Sequence, residues 1–248
     1  MKLVLADVGY FKDSIGVISD LVNEARFKIN KDAIELIAMD PANVAMVVFK
    51  LLSSCFVEYN VDKEQEIAIN LTNLKQILKR ANASDILSLE LTDDNKLQIQ
   101  LKSKTTRTFS LPIIDLEERE QKVPSLNFHV TINLPSTILS DAVADADVVA
   151  ESLMFIANPE KFTILAEGDL SRAMIEITPD DTIKIKSNTS AKIKSKYSVE
   201  YLKKMVSAGK LADKVTVHFN QDYPLKIDYV VQDRLSLSFI LAPRVDND

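Results

Sequence analysis

The side chains that could do chemistry in this chain are few and far apart. His129, His218 and the single cysteine, Cys55, are separated by long stretches and lack the short spacings typical of metal ligands. Acidic pairs occur at 93–94, 117–118 and 180–181. Two carboxylates can act as acid and base when an apolar pocket separates their pKa values. These pairs fall in exposed turns, which offer no such pocket. The residues predict no catalytic site, no metal and no cofactor.

The composition excludes further classes. Four glycines, scattered along 248 residues, cannot build the clustered loop that cradles phosphates. One cysteine permits no internal disulfide and indicates a reducing compartment. The N-terminus runs directly into a strand pattern, so we expect no signal peptide, and no apolar run approaches the roughly 20 residues of a membrane helix. The net charge of −6 alone argues against a groove-reading DNA-binding protein, which is usually basic.

The chain repeats its apolar pattern at an offset of 128 residues. Leu74 to Leu78 corresponds to Leu202 to Val206, and Ala38 corresponds to Ala166. Identity is mostly lost, but the spacing holds without gaps. The repeat predicts one fold built twice within the chain.

The first copy is predicted to contain two helices. One spans 8–25, with apolar residues at spacings of three and four, and the other spans 72–81, with Thr72 as its N-cap. The predicted strands are 2–6, 26–29, 33–39, 44–51, 66–71, 86–91, 96–101 and 106–111.

The second copy follows the same order. Helices are predicted at 135–150, beginning with Pro135, and at 198–208, with Gly209 as C-cap. The predicted strands are 128–134, 152–157, 161–166, 170–177, 182–186, 192–196, 214–220, 225–231 and 235–241.

A charged connector at 115–126 separates an N-terminal domain, 1–114, from a C-terminal domain, 127–248. Each domain carries two helices and mostly antiparallel strands, so the fold class is α+β with the helices covering one face of the sheets.

Several stretches resemble one family. The strand–turn–strand from Leu36 to Val44, the helix end from Asp20 to Ala25, Val123-Pro124 in the connector, Tyr223-Pro224-Leu225 and the tail from Leu241 to Val245 are similar to the proliferating cell nuclear antigen family, the sliding DNA clamps of archaea and eukaryotes. The resemblance runs from Lys2 to about Val245.

The resemblance implies a processivity-clamp domain in two tandem copies. Three subunits would close a pseudo-six-fold ring, with helices inside, antiparallel sheets outside and double-stranded DNA through the hole. The implied partners are other clamp subunits, a clamp loader, and DNA polymerase, flap endonuclease and DNA ligase, which bind through short peptides. The family has no catalytic activity. The implied location is the cytoplasm, on the nucleoid, for an archaeal source and the nucleus for a eukaryotic one.

Basic residues on the helices are the expected DNA-facing group, since a hole for DNA needs local positive charge within an acidic chain. They are Lys12, Lys75, Lys79, Arg80, Lys203, Lys204 and Lys210. The helix at 135–150 departs from this pattern: it presents Asp141 and Asp145 and carries no base. A ring of identical subunits would place three acidic helices in its own hole, so a ring of non-identical subunits fits this helix better.

Apolar residues on a turn, the connector, a hairpin bend and the tail predict a partner-peptide groove, because loops rarely expose such residues together. They are Met39, Val44, Val123, Pro124, Leu126, Tyr223, Pro224, Ile240, Ala242 and Pro243. The tail is expected to offer free backbone groups to the peptide.

The resemblance also implies that the strand at 106–113 pairs with 170–177 of a neighbouring subunit, with Phe109, Leu111, Ile175 and Ile177 as apolar contacts. Two alternatives remain open at this stage. One is a checkpoint-type or specialised clamp relative acting mainly as a protein scaffold, and the other is an enzyme of doubled α+β fold.

Overall fold

The computed structural model describes residues 1–117 and 121–245, and the chain divides into two compact units. The first comprises 1–41, 47–117, 121–123 and 231–237, and the second comprises 42–46, 124–230 and 238–245. Residues 118–120 of the predicted connector and the last three residues of the chain lie outside the described part.

Each unit carries two α-helices. They are α1 (Gly9–Ile18) and α2 (Leu71–Leu78) in the first unit, and α3 (Ser136–Asp147) and α4 (Val199–Val206) in the second. Short 3-10 turns occupy Ser53–Cys55 and Ser207–Lys210. The buried positions of α2, Leu71, Leu74 and Leu78, recur at spacings of three and four, and those of α4 repeat the pattern.

The strands alternate buried and exposed side chains, as period-two sequences require. They are β1 (Lys2–Leu5), β2 (Glu24–Ile29), β3 (Ala33–Met39), β4 (Ala45–Leu52), β5 (Glu58–Asn60), β6 (Gln65–Asn70), β7 (Ile86–Leu91), β8 (Lys96–Lys102), β9 (Thr106–Pro112), β10 (Val130–Pro135), β11 (Ser152–Asn158), β12 (Lys161–Glu167), β13 (Arg172–Ile177), β14 (Lys184–Ser187), β15 (Ile193–Ser198), β16 (Lys214–Phe219), β17 (Leu225–Val231) and β18 (Leu235–Leu241).

The two units share one topology, which confirms the predicted duplication. In the first unit the strand orders are β5-β1-β7-β8-β9 and β4-β3-β2-β6. In the second unit the corresponding orders are β14-β10-β16-β17-β18 and β13-β12-β11-β15. Neighbouring strands pair antiparallel, for example β8 with β9 and β12 with β13. The α+β class is confirmed.

An aromatic cluster forms the centre of the second unit. Phe155 is fully buried, and its ring lies 5.2 Å from that of Phe162, 5.5 Å from that of Tyr197 and 5.9 Å from that of Phe219, all edge-on. Edge-on geometry brings the positive ring edge to a negative ring face and adds to the burial energy. This core fixes β11 beneath the helices of its unit.

The first helix is shorter than predicted. It ends at Ile18, where the N–H groups of Asp20 and Leu21 turn to carbonyls three residues back, and β2 begins at Glu24. Leu21, Val22 and Ala25 are buried as expected, but in a turn and a strand. The predicted helix was too long because these core residues of the turn and strand continue the apolar spacing of the helix.

Two predicted caps are also wrong. The α2 N-cap is Asn70, whose side chain accepts a hydrogen bond from the N–H of Asn73 at 2.9 Å, and Thr72 lies inside the helix. Gly209 lies within the second 3-10 turn and has a negative φ, so it is not a left-handed cap. A Cβ at Gly209 would come within 3.1 Å of the Cβ of Ser136, so close approach to the start of α3 accounts for the glycine.

The strand β5 was not predicted, because its three residues carry no strand alternation. Most other predicted ends lie within three residues of the observed ones.

Candidate DNA-facing and partner-binding surfaces

The predicted DNA-facing bases of the first unit lie on or beside α1 and α2 and differ in their partners. The ammonium group of Lys12 donates to the carbonyl of Ala81 at 2.8 Å, and that of Lys75 pairs with Asp20 at 2.5 Å. Lys79 and Arg80 are exposed, and within the described residues neither forms an ion pair. Since they follow the last turn of α2, they also add positive charge where the helix dipole is negative.

Arg107 of β9 holds this end of α2 in place, a role that the sequence did not reveal. Its guanidinium donates to the carbonyl of Arg80 at 2.9 Å and to Asp85 at 2.5 Å. The carboxyl of Asp85 is completely buried and also accepts from the N–H of Asn82 at 2.7 Å. That N–H holds the pKa of Asp85 below its usual range against burial, which alone would raise it, and the Ser103 side chain and Arg107 add to the lowering. These hydrogen bonds of Arg107 position the segment that carries Lys79 and Arg80.

The bases of the second unit are largely compensated by acids of the same helix layer. Lys203 pairs with Asp147 of α3 at 2.6 Å, and Lys204 pairs with Glu200 at 2.9 Å, one turn away. Lys210 is exposed and has its own interactions. The side chains of Asp141 and Asp145 on α3 are exposed, as predicted. The second unit therefore presents less net positive charge from its helices than the first.

The predicted groove residues divide between the units. Met39 and Val123 belong to the first unit and the other eight to the second. In the second unit Val44, Leu126, Tyr223, Pro224 and Pro243 are half-buried, and Pro124 and Ala242 are exposed. Ile240 is 7% exposed and belongs to the core, so its side chain offers little to a peptide.

The tail is less free than predicted. The N–H of Ala242 donates to the carbonyl of Val44 at 2.9 Å, and that of Arg244 donates to the carbonyl of Lys196 at 2.7 Å. Pro243 has no N–H to offer. These bonds hold the tail in an extended conformation, so it supplies apolar contact more readily than backbone donors.

Tyr223 is held firmly beside this surface. Its carbonyl accepts from the hydroxyl of Tyr197 at 2.8 Å, and its ring meets that of Phe128 edge-on at 6.0 Å. The preceding residue, Asp222, has a φ of 47°, a left-handed conformation that Asp tolerates. The bend therefore presents the Tyr223 side chain in a fixed position.

The predicted subunit-contact strands, β9 and β13, lie at the edges of their sheets. Phe109 and Ile175 are half-buried, whereas Leu111 and Ile177 are 8% and 5% exposed and belong to the core of the single chain, so their side chains offer little to a neighbour. The N–H of Gly168 donates to the carbonyl of Ser171. Hydrogen-bonded and non-hydrogen-bonded pairs alternate along an antiparallel ladder, so Met174, opposite Leu165, is in a non-hydrogen-bonded pair and its N–H points away from β12. The bond from Ile113 to Asn95 likewise points the N–H of Ser110 outward. Both edges therefore offer backbone donors.

The histidine with the richest contacts belongs to a polar network on the sheet of the second unit. One ring nitrogen of His218 lies 3.0 Å from the hydroxyl of Thr131, and the other lies 3.1 Å from the carboxylate of Asp228. Asp228 also accepts from Lys226 at 2.9 Å and from Ser238 at 2.5 Å. The hydroxyl, imidazole and carboxylate follow the order of a nucleophilic triad, but these groups satisfy one another on half-buried sheet positions. A structural role accounts for them.

The network makes stability depend on pH. Burial alone would raise the pKa of Asp228, but hydrogen bonds from His218, Ser238 and Lys226 lower it below its usual range. A carboxyl with a lowered folded pKa stabilises the fold above its unfolded pKa, about 4, and loses this contribution as the pH falls through the folded pKa.

Asp228→Asn is therefore expected to lower the free energy of unfolding by about 1–3 kcal/mol at pH 7, since buried donors lose a charged acceptor. The difference from the unsubstituted chain should shrink towards pH 3. Chemical denaturation at both pH values measures it, and a deficit that does not change with pH would contradict the assigned charge.

The remaining chemically capable groups do not converge. Cys55 is buried, its thiol lies 3.4 Å from the carbonyl of Arg234, and burial raises its pKa. Asp94 and Asp180 accept hydrogen bonds within their own turns. No group of three or more His, Cys, Asp or Glu side chains suited to a metal occurs in residues 1–117 and 121–245. In the same residues, no helix is long and apolar enough to cross a membrane.

The whole fold matches a solved clamp. The crystal structure of PCNA from Thermococcus kodakaraensis superimposes with a TM-score of 0.91 at 33% identity, covering 98% of this chain and 99% of that one. Two tandem units with this topology are thus those of a clamp subunit.

Sequence comparison identifies the family. The profile described as "Proliferating cell nuclear antigen, N-terminal domain" matches residues 1–121, and that of the C-terminal domain matches 122–244. The chain belongs to the proliferating cell nuclear antigen family. Proteins named "DNA polymerase sliding clamp" are similar along almost the whole chain: one from Thermococcus gammatolerans is 38% identical over 245 residues, and one from Pyrococcus furiosus is 37% identical over 245, each covering 99% of this chain and 98% of the relative.

Proposed function

We propose that this chain is a subunit of a DNA polymerase sliding clamp, a ring that encircles duplex DNA and tethers replication and repair enzymes without chemistry of its own. The observation that carries the proposal is full-length similarity, at 36–38% identity, to proteins that bear this name. Its location would be intracellular, on DNA.

The bases beside α1 and α2 support the DNA contact. A ring holds DNA by its closed path, so each contact need only be weak and sensitive to salt. Lys79 is exposed at the end of α2, and within the described residues it has no ion-pair partner. It is therefore the base best placed to meet phosphate, while the ion pairs of Lys75, Lys203 and Lys204 moderate their charge.

Lys79→Glu is expected to reduce clamp-dependent DNA synthesis by up to about fivefold, since one exposed ion pair is worth about 0.2–1 kcal/mol. The effect should shrink as salt rises, because salt weakens the phosphate contact that only the unsubstituted chain makes. The assay is synthesis on a primed circular template with loader and polymerase. Lys63→Glu, the same charge change in an exposed turn of the first unit, is the control. Equal synthesis by both variants would remove Lys79 from the DNA-facing group.

The partner surface is proposed to take a short peptide by its apolar anchors. Leu126 and Pro243 present half-buried apolar side chains, and Tyr223 is held in place by Tyr197 and Phe128. Partly exposed apolar residues on fixed loops suit a helical turn with aliphatic and aromatic anchors. Polymerase, flap endonuclease and ligase are the proposed owners of such peptides, and a loader is the proposed opener of the ring.

Leu126→Ala and Pro243→Ala are each expected to weaken binding of a clamp-binding peptide by about 1–2 kcal/mol, because an aromatic or aliphatic anchor loses its apolar contact. Ser125→Ala, an exposed neighbour in the connector, is expected to change little. Titration calorimetry with one peptide measures all three. If the three affinities agree, the groove lies elsewhere.

A further inference from the structure

The exposed lysines of the second unit gather on its strands rather than on its helices. Residues 182–198 hold five lysines and no acidic residue, although the whole chain has a net charge of −6. Lys186 and Lys194 are exposed, and within the described residues neither forms an ion pair. Lys184 is also exposed, and its ammonium group donates to the carbonyl of Asp180 at 2.9 Å. Positive charge concentrated in this way attracts an anionic partner.

The strand register places two of these lysines on one outward face of a sheet. Lys186 of β14 lies opposite Thr131 of β10, and Lys184 lies opposite Asn133. Directly opposed residues share a face of an antiparallel pair. This face points away from the core, because Ile132, between the two β10 residues, is fully buried. We call it the outer basic face, and it comprises Lys184, Lys186, Thr131, Asn133 and, on the next strand β16, Thr216 and His218.

The carboxylate that borders the outer basic face is already neutralised. Asp228 of β17 lies opposite Thr216. Its carboxylate accepts from Lys226 at 2.9 Å and from Ser238 at 2.5 Å, and it lies 3.1 Å from a ring nitrogen of His218. These contacts satisfy Asp228 within its own network, so the lysines of β14 keep their charge for a ligand from outside.

The outer basic face continues into the proposed partner surface. The ring of His218 lies 5.4 Å from that of Phe128, and Phe128 meets Tyr223 of the partner surface at 6.0 Å. In the other direction, His218 lies 3.0 Å from the hydroxyl of Thr131, the residue opposite Lys186. Two strand spacings separate β16 from β14, a distance of roughly 10 Å, which about three extended residues span. One peptide can therefore occupy both surfaces.

We infer that the outer basic face receives an acidic flank of the same peptide whose apolar anchors occupy the partner surface. Acidic side chains about three to five residues from the anchors meet Lys184 and Lys186. A flank tied to bound anchors has a high effective concentration, so weak exposed ion pairs suffice to select between partners. A free nucleic acid has no such tether and meets a chain of net charge −6, which favours the peptide. The inference rests on the proposed function and names the chemistry of its partners.

Titration calorimetry of the purified full chain with matched peptides tests the inference. The peptides share one set of anchors and carry a run of glutamates, lysines or serines on one side of it or the other. One of the glutamate peptides is expected to bind at least about threefold more tightly than its serine counterpart, because each exposed ion pair contributes up to about fivefold. The lysine peptides should show no such gain, and the glutamate advantage should shrink as salt rises.

Charge reversal on β14 is expected to reverse the preference. In the chain with Lys184→Glu and Lys186→Glu, the lysine peptide should bind more tightly than the glutamate peptide, while the serine peptide binds as before. Lys102→Glu with Lys104→Glu, the same charge change at exposed positions of the β8–β9 hairpin, is the matched control and should keep the glutamate preference. Circular dichroism melts establish that each variant is folded.

The outcomes separate the inference from the proposed function. Equal affinities for all flanks, or a glutamate preference that survives the folded β14 variant, would overturn the inference and leave the partner surface standing. Binding of a single-stranded oligonucleotide that the β14 variant abolishes, without a glutamate preference, would assign the face to nucleic acid instead. If no peptide binds at all, the partner surface and the inference fail together, and retention on circular DNA still tests the clamp itself.

Discussion

Proline at Met174 or at Ser110 is expected to open the ring while both units stay folded. The N–H groups of these residues point away from the sheet, so proline removes a donor that no strand of the same sheet uses and that a neighbouring strand could accept from. The ring of proline also keeps a partner strand from approaching. Losing one hydrogen bond, worth about 0.5–1.5 kcal/mol, corresponds to association weaker by roughly two- to twelvefold, and the steric block adds to this loss.

The controls separate the backbone from the side chain. Met174→Ala and Ser110→Ala remove the same side chains but keep the N–H groups, so they should preserve most of the self-association. Analytical ultracentrifugation at several concentrations compares each pair. If proline and alanine behave alike, these edges do not pair between subunits.

Phe155→Ala is expected to lower the free energy of unfolding of the second unit by about 3–5 kcal/mol. The ring is completely buried and touches three other aromatic rings, so truncation removes dispersion contacts and leaves a cavity. Since domains are typically stable by only about 5–15 kcal/mol, the substitution removes a large part of that stability, and partial unfolding at moderate temperature is expected.

Urea denaturation measures this loss, with protein concentration held fixed because ring formation adds to apparent stability. Val148→Ala is the control: its side chain is 86% exposed, and its removal should change the unfolding free energy by less than about 0.5 kcal/mol. A small loss at Phe155 would mean that the core repacks around the missing ring.

The duplication was predictable because burial repeats with the fold. Many apolar positions of one unit have an apolar counterpart 128 residues away, and the observed starts of α2 and α4, Leu71 and Val199, keep that spacing. The ends of helices, which depend on local hydrogen bonds, were harder to predict. The end of α1 is set by a tightened turn at 19–21, and its apolar spacing continues past that turn into β2.

The surfaces were predictable only in part. Helical spacing placed Lys79 and Arg80 off the buried stripe, but it could not show that Arg107, 27 residues after Arg80, clamps that loop. Nor could it distinguish the two bases, because only the packing of α2 beside β9 makes Arg80, and not Lys79, line an open hollow with Phe109 and Leu111. The tail illustrates the same limit: its apolar residues were visible in the sequence, while the bonds that occupy Ala242 and Arg244 depend on distant partners.

Retention on circular against linear DNA tests the central claim most directly. The chain, with a loader and any partner subunits, is placed on a nicked plasmid, and the complex is passed over a sizing column in high salt before and after one double-strand cut. A closed ring around the duplex predicts that the clamp stays with the circle and is lost from the linear form. High salt weakens the direct phosphate contacts, and a ring can slide off a free DNA end without opening. Equal retention on both forms, or none on the circle, would contradict the account.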